Sequence, residues 1–312
     1  MNWLIWVGIG LTALIFAIAY GCYWMAFYNP ESRHQEVAYD FTENNDSGIG
    51  PRLKQLCHDL EAEPYERVFI QSRDGLRLSG RYYHVSDGAP LQIQFHGYRG
   101  SGIRDFCGGN MLARKAGFNT LLVDQRAHGM SQGNTMTFGI KERFDCLDWV
   151  NYAVDRFGKD TQIILAGISM GAATVLMASE LDLPGNVKGI IADCPYSSPG
   201  AIIRKVIRDM KIPPWLGYPF VALGGLVFGG FKVWETSAVE AVKKAGIPIL
   251  LVHGAADKFV PSSMSREIYE ACASDKFLEL YQDAGHALSF VLDEQRYERM
   301  LERFAKFCLF PG

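Results

Sequence analysis

The chain has 312 residues, 48% of them hydrophobic and 21% charged, with a formal net charge of −3. These values exclude a disordered, collagenous or low-complexity chain, leave ample material for a core, and supply no basic footprint for nucleic acid. Seven cysteines are scattered without a CxxC pair or a Cys/His metal spacing, so zinc-ribbon and thioredoxin-like classes are excluded and no disulfide framework is indicated.

No charged side chain precedes Glu31, and residues 3–27 are almost wholly apolar. As a helix this run reaches about 37 Å, beyond the roughly 30 Å hydrocarbon core of a bilayer. Trp3 and Trp6 lie near one end; Tyr20, Tyr23, Trp24 and Tyr28 lie near the other, in the manner of interfacial aromatic belts. A cleaved signal peptide wants basic residues before the apolar run, and only Met1 and Asn2 stand there. The segment therefore reads as an uncleaved single-pass anchor over 1–30. Arg33 is the only nearby basic residue after it, among Glu31, Glu36, Asp40, Glu43 and Asp46. The missing basic cluster predicts an N-terminus inside and an extracytoplasmic domain. Residues 31–64 read as linker and lead-in, with a polar, Gly-rich stretch at 43–51. A domain over 65–312 is then expected to stay soluble and active without residues 1–28.

Within that domain apolar, β-branched runs alternate with amphipathic stretches. Residues 67–71 and 76–83 flank Arg73-Asp74-Gly75, a hairpin signal. Strands follow at 91–95, 118–123, 162–166, 187–192, 247–252 and 277–281. Helices are expected at 104–116, 141–157, 170–180, 262–273 and 288–308. Short apolar strands separated by helices predict an α/β fold: a mostly parallel central sheet with helices on both faces and an antiparallel edge hairpin. Residues 195–235 are too long for a simple connection and predict a small helical cap over the carboxyl edge of the sheet. The cap holds a basic amphipathic stretch, 202–208, and an apolar one containing Trp215 and Phe220, the two residues expected to contact substrate. The alternative for this apolar stretch is a second contact with lipid.

Gly167-Ile168-Ser169-Met170-Gly171 stands between a predicted strand and a predicted helix. G-x-S-x-G in that context is a nucleophile elbow: a turn too tight for large side chains, lifting the Ser169 hydroxyl to the N-terminus of a helix. A serine hydroxyl needs a base. Asp257 follows one strand end and His286 the next, giving the chain order Ser…Asp…His. Asp283 competes with Asp257 but stands too close to His286 in sequence to face its ring. His286 is expected to take the Ser169 proton, and Asp257 to fix the imidazole tautomer. The main-chain N–H groups of Met170 and Tyr98 are the expected oxyanion donors, Tyr98 lying in the loop after the strand that ends Phe95-His96-Gly97. His96 and the Asp124–Gly129 segment read as loop architecture, and Cys194 as a pocket-lining or buried thiol. This chemistry calls for no cofactor and no metal.

Together, Phe95-His96-Gly97, Asp124-Gln125-Arg126-Ala127-His128-Gly129, Gly167-Ile168-Ser169-Met170-Gly171, Gly254-Ala255-Ala256-Asp257 and Gly285-His286 resemble the α/β-hydrolase superfamily over roughly residues 65–310. The pattern is similar to bacterial membrane-anchored hydrolases grouped near prolyl-oligopeptidase-like and serine-aminopeptidase-like sequences. The resemblance implies a serine hydrolase acting on a small molecule. The apolar cap and the tether favour a carboxylic ester with an apolar part. An aminopeptidase or amidase on the same fold, and a non-catalytic binding protein, are the alternatives.

Overall fold

The structure is a computed structural model that describes residues 2–30 and 49–310. Eight strands are present: β1 (Glu66–Gln71), β2 (Arg77–Tyr83), β3 (Leu91–Phe95), β4 (Asn119–Val123), β5 (Ile163–Ile168), β6 (Val187–Asp193), β7 (Ile249–Gly254) and β8 (Lys276–Tyr281). They form one sheet in the order β1-β2-β4-β3-β5-β6-β7-β8. The pairs β1/β2 and β2/β4 are antiparallel and all others parallel. The expected edge hairpin turns through Gly75, whose φ of 89° suits a residue without a side chain.

The central strands β3, β4 and β7 are buried along their whole length because helices cover both faces. Along β5 the faces alternate: Ile163 and Leu165 join one core cluster, Ile164 and Ala166 the other. The first cluster takes in α4 (Glu142–Phe157), α5 (Met170–Ala178), α8 (Ala238–Val242) and α9 (Ser263–Ala271). The second takes in α2 (Ile49–Ala62), α3 (Gly102–Lys115), α10 (Ser289–Leu292) and α11 (Glu294–Leu309). The expected C-terminal helix is thus two, parted at Asp293, whose side chain accepts from the Arg296 N–H and caps α11.

The linker expected at 43–51 lies outside the described residues through position 48. The lead-in beyond it is helix α2, with Leu53, Leu56, Cys57 and Leu60 buried against the α3 side of the core. That segment belongs to the domain because its apolar residues recur at three- and four-residue spacing on one face.

The cap comprises α6 (Pro199–Asp209) and α7 (Pro214–Val227). Its apolar side forms a third cluster with Met170, Ala173 and Met177 of α5 and with α1 (Asn2–Ala26). Here the structure departs from the expected independence of anchor and domain. Ala19 and Phe27 are completely buried and Tyr23 nearly so. These residues recur every four positions, so they share one helical face. Gly224 of α7 lets the helices meet: a Cβ there would lie 2.5 Å from the Ala19 carbonyl oxygen. Polar bonds fix the end of the helix. Tyr23 Oη lies 2.7 Å from Thr135 Oγ1, and the Met136 N–H donates to the Phe27 carbonyl at 2.8 Å. Arg99 donates to the Met25 and Tyr28 carbonyls, which the helix leaves without partners. The other end is different: Trp3, Leu4, Ile5, Trp6 and Leu11 are all more than half exposed. Among the described residues, this is the one helix long and apolar enough to cross a membrane.

Candidate active site

The site lies at the carboxyl edge of the sheet, where β5 turns into α5. Two glycines make the turn possible. A Cβ on Gly171 would collide with the Phe95 carbonyl at the end of β3, and one on Gly167 would collide with the Gly171 backbone. The position between them is left-handed, with Ser169 at φ 54° and ψ −111°. Such a conformation costs of order 1–3 kcal/mol, which surrounding structure must hold in place. The Ser169 N–H donates to the Asp193 carbonyl at 2.8 Å, tying the turn to β6.

Two loops from further along the sheet edge meet the hydroxyl. His286 Nε2 lies 3.0 Å from Ser169 Oγ, and His286 Nδ1 lies 2.6 Å from Asp257 Oδ2. An ionised carboxylate only accepts, so Nδ1 carries the proton and Nε2 is free to accept from the serine. Asp257 Oδ1 accepts the N–H groups of Phe259 and Val260 at 2.8 and 2.9 Å. Burial pushes the Asp257 carboxyl up, but hydrogen bonds from His253 and His286 outweigh it and hold the group well below the usual carboxylate range. The His253 interaction is the looser of the two: its Nε2 is 3.3 Å from Asp257 Oδ2 and 2.8 Å from the Val260 carbonyl. Asp283 is exposed and makes no bond to His286 among the described residues.

The Met170 N–H opens α5, where no intrahelical acceptor exists, and points from the N-terminal, positive end of the helix. The Tyr98 N–H has no partner among the described residues. Its loop comes close: a Cβ on Gly97 would sit 3.4 Å from Ser169 Cβ. Asp105 holds that loop by accepting the Gly97 N–H at 2.7 Å. His96 is fully buried, with Nε2 accepting the Gln125 N–H at 3.1 Å, and His128 Nε2 accepts the Arg99 N–H at the same distance. Arg126 pairs with Asp145 at 2.6 Å and Asp74 at 2.8 Å. These groups build the loops under the site and do not face the serine.

Ser169 opens onto a cavity of about 290 Å³ whose walls are almost entirely carbon. Ile202, Ile203 and Ile207 of α6 and Val221 of α7 contribute, with Phe138, Tyr196 and Phe259 from loops. Cys22, Met25 and Ala26 of α1 complete the wall. The cap thus covers the serine as expected, but through other side chains. Trp215 is 78% exposed, and neither it nor Phe220 lines the cavity. The inward stripe of α7 runs through Gly217 and Val221, and Trp215 and Phe220 stand off that stripe.

Sequence reasoning missed the α1 residues, Tyr196 and Asp193. Tyr196 is buried against the cavity with its hydroxyl unpartnered among the described residues. Asp193, at the end of β6, accepts from Tyr297 Oη at 2.9 Å while its other oxygen has no partner among the described residues. Burial raises its carboxyl to about 6, opposed by the Tyr297 bond and by the nearby His253 and His286 rings. Its position at a strand end beside Cys194 was the available signal.

Cys194 Sγ lies 4.0 Å from His286 Nε2, so the thiol, the Asp257 carboxylate and the His286 ring form a cluster of metal-ligating types. The geometry fits a proton better than an ion. Nitrogen and oxygen ligands each about 2.0–2.2 Å from a tetrahedral zinc stand well over 3 Å apart, whereas the Asp257 and His286 atoms are 2.6 Å apart. Burial, with Asp193 and Asp257 nearby, raises the Cys194 thiol well above its ordinary value and keeps it protonated.

Comparison with known proteins places this arrangement. A family model described as alpha/beta hydrolase fold matches residues 93–233, and one described as serine aminopeptidase, S33, matches residues 234–293. An uncharacterized Bacillus subtilis protein, YqkD, is 27% identical over 189 residues, 60% of this chain and 62% of its own length. The match therefore spans under two thirds of that relative. The Escherichia coli K12 protein YfhR, also uncharacterized, is 26% identical over 233 residues, 72% of this chain and 74% of its own. Among solved structures, the Pyrococcus furiosus esterase Pf2001 superposes with a TM-score of 0.64 at 26% identity, covering 80% of this chain and 92% of that one. A putative aryl esterase from Burkholderia cenocepacia shares the fold at 19% identity and a TM-score of 0.57, covering 78% and 99%. With an eight-stranded, mostly parallel sheet, an antiparallel N-terminal edge, and a strained serine turn between β5 and α5, this chain belongs to the α/β-hydrolase superfamily.

Proposed function

We propose that the chain is a serine hydrolase that cleaves a carboxylic ester through an acyl-enzyme on Ser169. The observation that carries the reading is the unbroken relay Ser169 Oγ, His286, Asp257, at 3.0 and 2.6 Å, opening onto an apolar cavity. In this reading Ser169 Oγ attacks the ester carbonyl carbon as His286 Nε2 takes its proton. Asp257 stabilises the imidazolium without taking the proton itself. The oxyanion develops toward the N–H groups of Met170 and Tyr98, at the positive end of α5. Collapse expels the alcohol, which takes its proton from His286. Water, deprotonated by the same ring, then attacks the acyl carbon and releases the acid and Ser169.

The apolar lining favours an ester with an apolar acyl part. An aminopeptidase needs a carboxylate for the substrate's ammonium group, and no acidic side chain lines the cavity among the described residues. We place the protein in a membrane through the exposed part of α1, with the hydrolase domain on the extracytoplasmic side. The buried last turns of α1 favour an uncleaved helix, because cleavage after them would remove Ala19, Tyr23 and Phe27 from the core.

The test is labelling of the full-length protein with a fluorophosphonate, followed by a panel of p-nitrophenyl esters and aminoacyl amides. Ser169 is expected to carry the label and the esters to turn over faster. An unlabelled Ser169 removes the serine-hydrolase reading; faster amide hydrolysis removes the ester assignment.

A further inference from the structure

Three observations bear on what the cavity takes and where it comes from. First, the lining includes Cys22, Met25 and Ala26 as well as Ser169, so the helix that is long and apolar enough to span a bilayer also builds the candidate acyl site. Second, the exposed stretch of that helix is close by. Ile18 is 41% exposed, and Cys22 stands four residues on, about 6 Å along the axis. Phe228, at the end of α7, packs edge-on to Tyr20 with ring centroids 5.1 Å apart, and Leu226 and Val227 beside it are exposed. Third, the side chains that both line the cavity and reach its surface are Met25, Met210, Ile212 and Phe259, so its mouth is framed by apolar groups. An alkyl chain leaving a bilayer along α1 would keep contact with these apolar groups.

We infer that the cavity is the acyl site for a single-chain ester lipid, which enters from the bilayer along the seam of α1 and the cap. The inference rests on the serine-hydrolase reading and deepens it. The volume of about 290 Å³ holds of order ten groups at roughly 30 Å³ each, which suits an acyl chain of about ten carbons and not the two chains of a diacyl lipid. The ester carbonyl would sit at Ser169, and the chain would run past Ile203 and Val221 to Cys22.

Cys22 makes this testable in the unaltered protein, because it is the one cysteine that is not buried. Full-length protein in phosphatidylcholine vesicles is treated with a dodecyl or an ethyl fluorophosphonate, then with N-ethylmaleimide, and modification of Ser169 and Cys22 is followed by mass spectrometry. The dodecyl adduct is expected to slow Cys22 alkylation at least about tenfold and the ethyl adduct to leave it unchanged. Equal alkylation after both adducts overturns the inference while leaving Ser169 as nucleophile; an unmodified Ser169 overturns both readings. A second arm compares Cys22→Trp with wild type. The ratio of kcat/KM for decanoyl over butyryl esters is expected to fall about tenfold, and an unchanged ratio counts against the site. A third arm varies vesicle lipid at fixed decanoyl glycerol. A rate that follows the mole fraction of ester in the bilayer supports the route, and one that follows ester dissolved in water overturns it.

Discussion

The Tyr98 hydroxyl donates a 3.0 Å hydrogen bond to the carbonyl of Ala26. One residue therefore joins the last turn of the apolar N-terminal helix to the loop beside the serine, where a Cβ on Gly97 would sit 3.4 Å from Ser169 Cβ. The proposed chemistry and the proposed anchor are mechanically one unit, and the predictions below treat them so.

Ser169→Ala is expected to remove hydrolysis and leave the fold intact. Loss of the nucleophile should lower kcat by about 10⁴-fold or more, as with other relays of this kind. Ester turnover and circular dichroism check both halves; wild-type turnover by the variant would remove the site assignment.

Asp257→Asn should lower kcat by roughly 10⁴-fold, because an amide in place of the carboxylate no longer fixes the proton on His286 Nδ1. Asp283→Asn, at an exposed position, should leave kcat within about twofold. Steady-state kinetics on a short ester decide, and a reversed order would reassign the acid.

Phe27→Ala should destabilise the whole hydrolase domain, not the N-terminal helix alone. The ring is fully buried, edge-on to Phe138 and Phe231 with centroids 5.5 and 5.0 Å away. A cavity of that size costs about 3–5 kcal/mol. Thermal unfolding in detergent should show one transition shifted down. A soluble, fully active protein after removal of residues 1–28 would contradict this packing.

Asp193→Asn should change how stability depends on pH. In the folded protein the carboxyl is raised to about 6, against about 3.9 in an unfolded chain. Between those values the folded state binds more protons, so stability falls as pH rises from about 4 to 6 and stays lower above that. Facing this group are Tyr297, His253, His286 and Asp257. The amide cannot ionise and still accepts from Tyr297, so the variant should lose the decline and gain up to about 3 kcal/mol at pH 8 relative to pH 4. Denaturant melts at both values give the difference, and parallel curves for variant and wild type would refute it.

The sequence made the sheet legible because each buried strand is a short apolar run ended by a turn, and all eight expected strands are present. Ser169, Asp257 and His286 could be placed because each sits just past a strand end, a position that a parallel sheet carries to one edge. The wall of the cavity was not legible. In a helix that is apolar all round, Ala19, Tyr23 and Phe27 look no different from the residues left exposed, so no periodicity betrays the docked face. Trp215 and Phe220 were singled out by size. Which cap residues turn inward depends on the angle at which α7 crosses α1, and Gly224 sets that closeness from a position without a side chain to notice.

The contact of α1 with the loops at Tyr98 and Thr135 and with Val221 of α7 also orders events in the life of the chain. The helix leaves the ribosome before these partners, each of which is translated at least seventy residues later, counting from Ala26 to Tyr98. On the anchor proposed above, the apolar segment meets lipid while its docking face is still bare, and the loop at Tyr98 gains its bond to Ala26 only when the domain closes over that helix.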